Sequence, residues 1–274
     1  MIRFLFTIVF YIIFLCSVRA EELIFLVPHR AVYDFHLDNV SRKMTIVGIS
    51  GRMVHEFMGS TCQGYTTRVS FINRIYTEDM PVRLISQEVK VYETDDGNKF
   101  HFNIKNTIGQ NIANNTEGIA ERTKDEILVK LKKPKENVYK LAKADFPITL
   151  LKNIIRQAKA GHNFYNSTLF NGENGADRVV KESFVIGEKR RTVPDSEMKE
   201  LKKINKNGYW PIIVSHFDDT KNKEGLPIYR SSFNLYENGV MNDIFIDYGD
   251  FSIRSKLKSL QFFDTKNDLD NCKH

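Results

Sequence analysis

Residues 83–104 read RLISQEVKVYETDDGNKFHFNI, and this stretch decides the fold class. Apolar and polar residues alternate from Arg83 to Tyr92 and again from Lys99 to Ile104. A period of two places one set of side chains on a buried face and the other in water, which is typical of antiparallel strands. Asp95–Asn98 separates the two runs and contains an Asp-Gly pair, which suits a two-residue hairpin turn because glycine tolerates positive φ. The stretch therefore predicts a β-hairpin.

The same alternation recurs along the chain. It is present at residues 31–37 and at residues 228–236, where Asn238-Gly239 supplies a second turn pair. We expect a hairpin over 228–248 and a further strand over 251–262. Short alternating runs without intervening helices predict an all-β, mainly antiparallel sandwich, barrel or coiled sheet rather than a parallel α/β fold.

One segment has helical periodicity instead. Between Pro147 and Gly161, four residues share one helical face, namely Ile148, Leu151, Ile155 and Ala158. Proline suits the first helical position and glycine suits the end, so an amphipathic helix near 148–160 is predicted. Such a helix either covers the open edge or mouth of the sheet or lies on its outside. A second, weaker helix is predicted near 196–204.

The N-terminus has the three zones of a secretory signal peptide. Arg3 precedes an apolar run from Phe4 to Leu15, and Val18-Arg19-Ala20 forms a small-residue exit. Cleavage is expected between Ala20 and Glu21, leaving residues 21–274 as a single β-rich domain. The run is shorter than the roughly 20 residues that a membrane-spanning helix needs, so we expect no permanent membrane span after cleavage.

Cysteine usage agrees with export. Cys16 lies in the signal peptide, so the mature chain keeps only Cys62 and Cys272. An even pair in an oxidising compartment indicates a disulfide. Two free thiols or an intermolecular link remain the alternatives.

Charge limits the possible partners. The formal net charge is +6 and the sequence pI is about 9.0, with basic clusters such as 130–133 and 189–191. Acidic residues stand among these clusters, which indicates solvated faces, or else attraction to an anionic membrane surface. An exported chain is not expected to meet nucleic acid.

Motifs for chemistry are missing from the sequence. It contains neither a Gly-x-Ser-x-Gly nucleophile elbow nor a glycine-rich phosphate loop, and no two histidines stand at the zinc-protease spacing. His29 and His36 should point to opposite faces of one strand. We therefore predict no catalytic residue, no metal and no cofactor, while a hydrolase without a familiar motif stays open.

Several phrases of the chain resemble one known family. They are Pro28–Tyr33, Gly51–Glu56, Cys62–Gly64, Phe146-Pro147, Leu226–Tyr229, Asn238–Val240 and Asp247–Phe251. In this order they resemble the EipB family of alphaproteobacterial periplasmic β-spiral proteins, over essentially the whole mature chain.

The resemblance implies a periplasmic protein whose long antiparallel sheet curls into a β-spiral with one associated helix. It also implies a bond between Cys62 and Cys272 and carries over no catalytic residues. The implied function is that of a non-catalytic factor that maintains cell-envelope integrity in a Gram-negative bacterium by binding an unknown envelope protein or lipid. The alternative is a lipid or lipoprotein carrier similar to Lol-type proteins, and an unrecognised hydrolase is a third reading.

Overall fold

The computed structural model describes residues 23–191, 201, 208–220 and 224–264. The predicted signal peptide, its Ala20–Glu21 junction and Cys272 lie outside these residues. The predicted helix near 196–204 also lies outside them, except for Leu201.

Fourteen strands of the described residues form one antiparallel sheet. They are β1 His29–Val40, β2 Ile46–Ser60, β3 Gly64–Thr77, β4 Met80–Glu93, β5 Lys99–Ile108, β6 Asn111–Arg122, β7 Glu126–Lys133, β8 Asn137–Ala142, β9 Phe164–Leu169, β10 Val180–Ile186, β11 Tyr209–Phe217, β12 Tyr229–Tyr236, β13 Met241–Asp247 and β14 Phe251–Phe262. The prediction of an all-β, antiparallel fold is confirmed, as are both hairpins and the strand over 251–262.

Chain order and sheet order almost coincide. From one edge to the other the order is β8-β7-β6-β5-β4-β3-β2-β1-β14-β13-β12-β11-β10-β9. Every neighbour in the sheet is therefore a neighbour in sequence, except that β1 pairs with β14. This one long-range pairing ties the two ends of the chain together in the middle of the sheet.

The two predicted turns are longer than two residues. Thr94 N–H donates to Lys99 O at 3.0 Å, so the first loop is 95–98, and the Tyr236 N–H bond to Val240 O at 2.9 Å closes the loop 237–239. Gly97 has a φ of 64°, and a Cβ there would lie 2.4 Å from Thr149 Oγ1. Glycine is thus required both by the backbone conformation and by the close approach of the loop to the helix.

The sheet is curled but not closed into a barrel. Its two edge strands, β8 and β9, are brought together by the chain that leaves β8, because Asp145 bridges Leu169 of β9 in parallel. Asp145 N–H donates to Thr168 O at 2.7 Å, and Phe170 N–H donates back to Asp145 O at 2.9 Å. Asp145 lies three positions after the end of β8, so the edges approach within about 10 Å.

Helix α1, Pro147–Lys159, connects β8 to β9 and packs on the inner face of the curled sheet. Ile148, Ile155 and Ala158 of the predicted face are buried, while Leu151 is half-buried. Leu150 and Ile154 are buried as well. The apolar surface of α1 is therefore wider than predicted, because the helix contacts strands on more than one side.

Three apolar clusters fill the inner face. The first surrounds α1 with residues of β2, β3, β10, β11 and β12, and the second lies between β4–β7 and the segments at Phe146 and Phe170. The third joins β1, β2, β13 and β14 around Tyr33, Phe35 and Tyr236. Each part of the curled sheet thus has its own packed apolar cluster.

Candidate functional site

The inner face of the curled sheet is occupied by the protein's own side chains. Phe100, Phe146 and Phe170 are at most 1% exposed. The rings of Phe100 and Phe146 stack at 5.2 Å between centroids, and Phe170 meets Phe100 edge-on at 6.2 Å. Such pairs are the preferred packing of aromatic rings in a dense core. The concave side therefore holds a core where a carrier would need an apolar cavity.

A buried carboxylate fixes the start of α1 against the sheet. Glu93, at the end of β4, is 1% exposed and accepts hydrogen bonds from Ile148 N–H at 2.7 Å and Thr149 N–H at 2.8 Å. The Thr149 hydroxyl donates to the same carboxylate at 2.5 Å. Burial raises the pKa of Glu93, and the bonds from Thr149 and Ile148 oppose this rise. Glu93 thus replaces the local side-chain cap that Phe146, the residue before α1, does not supply.

A second acidic residue joins the two edges of the sheet. Asp145 accepts a hydrogen bond from Asn153 of α1 at 2.9 Å and one from the Ser167 hydroxyl of β9 at 3.1 Å. The Arg122 guanidinium of β6 lies 3.6 Å from the Asp145 carboxylate and 4.9 Å from the centroid of the Phe146 ring. The contacts of Asp145 therefore connect α1, both halves of the sheet and the aromatic cluster.

Three side chains on adjacent strands form a hydrogen-bonded row of the Ser-His-Glu type. His216 Nδ1 lies 2.9 Å from Glu182 Oε1, and its Nε2 lies 3.0 Å from Ser231 Oγ. Tyr229 stacks on the His216 ring at 4.1 Å between centroids. Sequence analysis did not find this row, since its members come from β10, β11 and β12 and are scattered over 50 positions of the chain.

The surroundings of Ser231 do not favour nucleophilic catalysis. Ser231 lies within β12, where it is paired with Val214 of β11 on one side and with Ile246 of β13 on the other. A nucleophile of this class needs free backbone N–H groups beside it to bind an oxyanion. The local N–H groups already serve the sheet ladders, so the geometry favours a row that orients a partly buried histidine.

Two other histidines meet across β1 and β2. His29 is 2% exposed, and its Nδ1 lies 2.7 Å from Val27 O, while its ring lies 5.5 Å from that of His55. Burial, and then repulsion by His29, lowers the pKa of His55 to about 4. His36 is exposed on the opposite face, which confirms the predicted separation from His29. No group of three or more His, Cys, Asp or Glu side chains suited to a metal ion occurs among the described residues.

The outer face of β2 to β6 carries a shallow charged cleft. Its volume is about 640 Å³, and its lining includes Glu56, Arg68, Glu88, Lys90 and Lys105. Paired charges of both signs suit polar or ionic contacts rather than an acyl chain. This cleft is therefore compatible with a protein surface or with lipid headgroups.

An exposed apolar patch adjoins the cleft at one end of the sheet. We define the patch as Ile72, Tyr76, Met80, Val82, Leu84 and Ile112, whose exposed fractions lie between 37% and 69%. Strand register puts Ile72 and Ile112 on one face, because Ile72 faces Ser86, Ser86 faces Thr107 and Thr107 faces Ile112. Leu84 shares the face of Ser86 by alternation, and a β-bulge between Ile75 and Thr77 separates these residues from Met80 at the tip. Contiguous exposed apolar surface of this kind marks an interaction site. Sequence analysis missed the patch, since a strand pattern does not tell which face is covered.

Cys62 lies in the turn that joins β2 to β3. The described chain ends near this turn: Phe263 N–H donates to Pro28 O at 3.0 Å, and His29 pairs with Phe57 of β2. The predicted bond from Cys62 to Cys272 thus has one member in the described structure, and it stays a prediction.

Comparison with known proteins identifies the family of the chain. A model described as EipB-like matches residues 20–264. The chain belongs to the EipB-like family. This membership agrees with the resemblance found in the sequence.

Two relatives document the match. The chain is 41% identical over 256 residues to the cell envelope integrity protein EipB of Brucella abortus (strain 2308), covering 93% of this chain and 91% of the relative. It is also similar to the crystal structure of a beta-barrel-like protein of a domain of unknown function from Brucella abortus, with a TM-score of 0.84 and 41% identity. That match covers 88% of this chain and 100% of the other. No helix among the described residues is long and apolar enough to cross a membrane.

Proposed function

We propose that this chain is a periplasmic, non-catalytic factor that maintains the integrity of a Gram-negative cell envelope by binding an envelope protein or lipid. The observation that carries the proposal is the 41% identity, over 93% of the chain, to a protein named for cell envelope integrity. The EipB-like family match over residues 20–264 supports it.

The structure favours a ligand on the outside of the sheet over one held inside it. The inner face is packed by α1 and by the aromatic cluster around Phe100, whereas the apolar patch and the charged cleft lie on the outer face. Packing density of this kind excludes an acyl chain unless the core opens. The carrier function is therefore the weaker proposal, and native mass spectrometry of protein purified from its own envelope tests it by the presence of bound lipid.

Export is part of the same proposal. We propose that cleavage occurs between Ala20 and Glu21 and that residues 21–274 form one β-rich domain in the periplasm. All fourteen described strands belong to one sheet, which supports one domain. Mass spectrometry of the periplasmic form should yield an N-terminus at Glu21; an intact Met1 in the membrane fraction would argue for an anchored protein.

A gene-deletion strain tests the function directly. The strain should become sensitive to detergents that challenge the outer membrane, and the wild-type gene supplied on a plasmid should restore resistance. A gene lacking codons 2–20, which retains the chain inside the cell, is the matched control and should not restore it. Restoration by the non-exported form would refute a periplasmic role.

A further inference from the structure

The end of the sheet that bears the apolar patch extends beyond its neighbours. Pairing between β4 and β5 begins only at Ile85, so residues 80–84 of β4 continue past the end of β5. At about 3.3 Å per residue, these five residues extend roughly 15 Å. They are accompanied by β3, which pairs with β4 from Thr77, and by the start of β2. We call residues 46–49, 74–77 and 80–84 the projecting end.

Apolar side chains occur on both faces of this part of the sheet. Val82 is 53% exposed, and Met80, which lies opposite Thr77 beyond a β-bulge at the end of β4, is 69% exposed. Ile108 pairs with Ile85, which belongs to the opposite face, and is 37% exposed. Ile46 and Ile75 of the projecting end contact the third apolar cluster, so its exposed apolar side chains lie on the outer face and at the tip, where they can enter the interfacial region of a bilayer.

Cations without ionic partners surround the projecting end. Four exposed basic residues stand there, namely Arg42, Lys43, Arg74 and Arg83. None of them makes a salt bridge with another described residue, although such bridges are common elsewhere on the sheet, as between Arg52 and Asp34 at 2.7 Å. The nearby acids are Glu78 and Asp79 in the β3–β4 turn and Asp250, whose backbone carbonyl accepts a hydrogen bond from Ser41 N–H at 2.7 Å, so four cations face three acids and the local balance is slightly positive. Unpaired cations beside exposed apolar groups are complementary to a surface that has anionic headgroups over acyl chains.

We propose that the projecting end docks the protein on an anionic lipid bilayer. Met80 and Val82 enter the headgroup region, and Arg74 and Arg83 meet lipid phosphates. This inference rests on the proposed function, because it names the envelope lipid surface as the ligand of the same outer face.

Vesicle flotation tests the inference with the exported chain, residues 21–274. Vesicles of phosphatidylethanolamine with phosphatidylglycerol supply the anionic surface, and vesicles of phosphatidylcholine supply the neutral one. We expect binding to the anionic vesicles to exceed binding to the neutral ones. Binding should also fall when salt rises from about 0.05 M to about 0.5 M, since screening weakens phosphate contacts.

Two double variants test whether vesicle binding depends on the projecting end rather than on nonspecific adsorption of the protein. Met80→Ser with Val82→Ser removes apolar contacts and should lower partitioning about tenfold. Arg74→Gln with Arg83→Gln should lower it about fivefold per residue on anionic vesicles. Val138→Ser with Phe164→Ser is the matched control, since both side chains are exposed, at 60% and 75%, on the edge strands β8 and β9. Circular dichroism confirms that each variant is folded.

Two outcomes of the vesicle experiment overturn the proposal: no binding of the wild type to anionic vesicles, or binding by the Met80/Val82 variant that equals that of the wild type. A third is a wild-type dimer in solution that the Met80/Val82 variant converts to a monomer. That result would assign the projecting end to self-association. The deletion strain then distinguishes a failure of the lipid inference from a failure of the proposed function. A Met80/Val82 variant that no longer binds vesicles but fully restores detergent resistance removes the lipid inference and leaves the proposed function. Wild-type protein that binds vesicles but cannot restore resistance removes the proposed function instead.

Discussion

Glu93 and Ile148 are joined by a 2.7 Å hydrogen bond, in which the backbone N–H of the helix donates to a carboxylate 55 residues earlier in the chain. The bond matters because the first N–H groups of a helix have no partner within it. Here the sheet supplies that partner, so one buried side chain ties the first turn of α1 to the end of β4.

We therefore expect Glu93→Ala to destabilise the fold. The substitution leaves the Ile148 and Thr149 N–H groups without their acceptor in a buried site, which costs about 1–3 kcal/mol. Urea unfolding followed by tryptophan fluorescence measures the loss. Glu88→Ala, at an exposed position of the same strand, is the control and should change stability by less than about 0.5 kcal/mol. Equal effects of the two variants would contradict the capping role.

The buried His29–His55 pair should make stability depend on pH. The pKa of His55 is lowered to about 4 and that of His29 is also lowered, chiefly by burial. As the pH falls, these histidines therefore take up protons in the unfolded chain before they do so in the folded chain. The free energy of unfolding that depends on the neutral pair is complete above about pH 6.5 and is lost as the pH falls towards 4. The loss attributable to His55 is at most about 3.5 kcal/mol, because its pKa falls from 6.5 to about 4 and each pKa unit is worth about 1.4 kcal/mol.

Urea midpoints at a series of pH values measure this dependence. His55→Asn should flatten the curve between pH 6.5 and 4, whatever its effect on stability at neutral pH. His101→Asn, at an exposed position on β5, should leave the slope unchanged. A wild-type slope retained in His55→Asn would show that other groups cause the acid sensitivity.

The predicted disulfide can be tested by unfolding with and without reductant. Cys272 lies eight positions after Asp264, and an extended chain of that length spans up to about 28 Å. The end of β14 lies beside the ends of β1 and β2 that lead to Cys62, so this reach supports the pairing. Closing a loop of about 210 residues restricts the unfolded chain by about 5 kcal/mol at most.

Cys62→Ser should therefore lower the melting temperature while the circular-dichroism spectrum stays β-rich. Reductant should lower the wild-type value in the same way and have no further effect on the variant. Two thiols titrated in denatured, unreduced wild type would refute the bond.

Replacement of Ser231 tests whether Glu182, His216 and Ser231 catalyse hydrolysis or only hold the His216 ring in place. Ser231→Ala removes the 3.0 Å contact with His216 and should cost about 1 kcal/mol of stability. Ser232→Ala, whose side chain points to the other face, is the matched control. Hydrolysis of p-nitrophenyl butyrate by the wild type that Ser231→Ala abolishes and Ser232→Ala retains would establish a hydrolase and refute the non-catalytic proposal.

Much of the fold could be predicted because its signals are local. Alternation along 83–104 and the Asp-Gly pair within it require only neighbouring residues, and the observed β4–β5 hairpin follows that pattern. The face of α1 was predicted less completely. Leu150 and Ile154 are buried by strands that meet only after the sheet curls, so a single helical stripe underestimates the contact surface.

Local and ordered signals in the sequence were enough to predict the strand pattern, helix α1 and the family, because each depends on residues close together or in a recognisable order; export and the Cys62–Cys272 bond remain predictions. The curl of the sheet was needed to show that Glu93 caps α1, that Glu182, His216 and Ser231 line up, and that Met80 and Val82 of β4 are uncovered. The physical reason is that alternation with a period of two shows only that a strand has two different faces. Whether a face contacts a core or solvent depends on which distant strands pack against it once the sheet has curled.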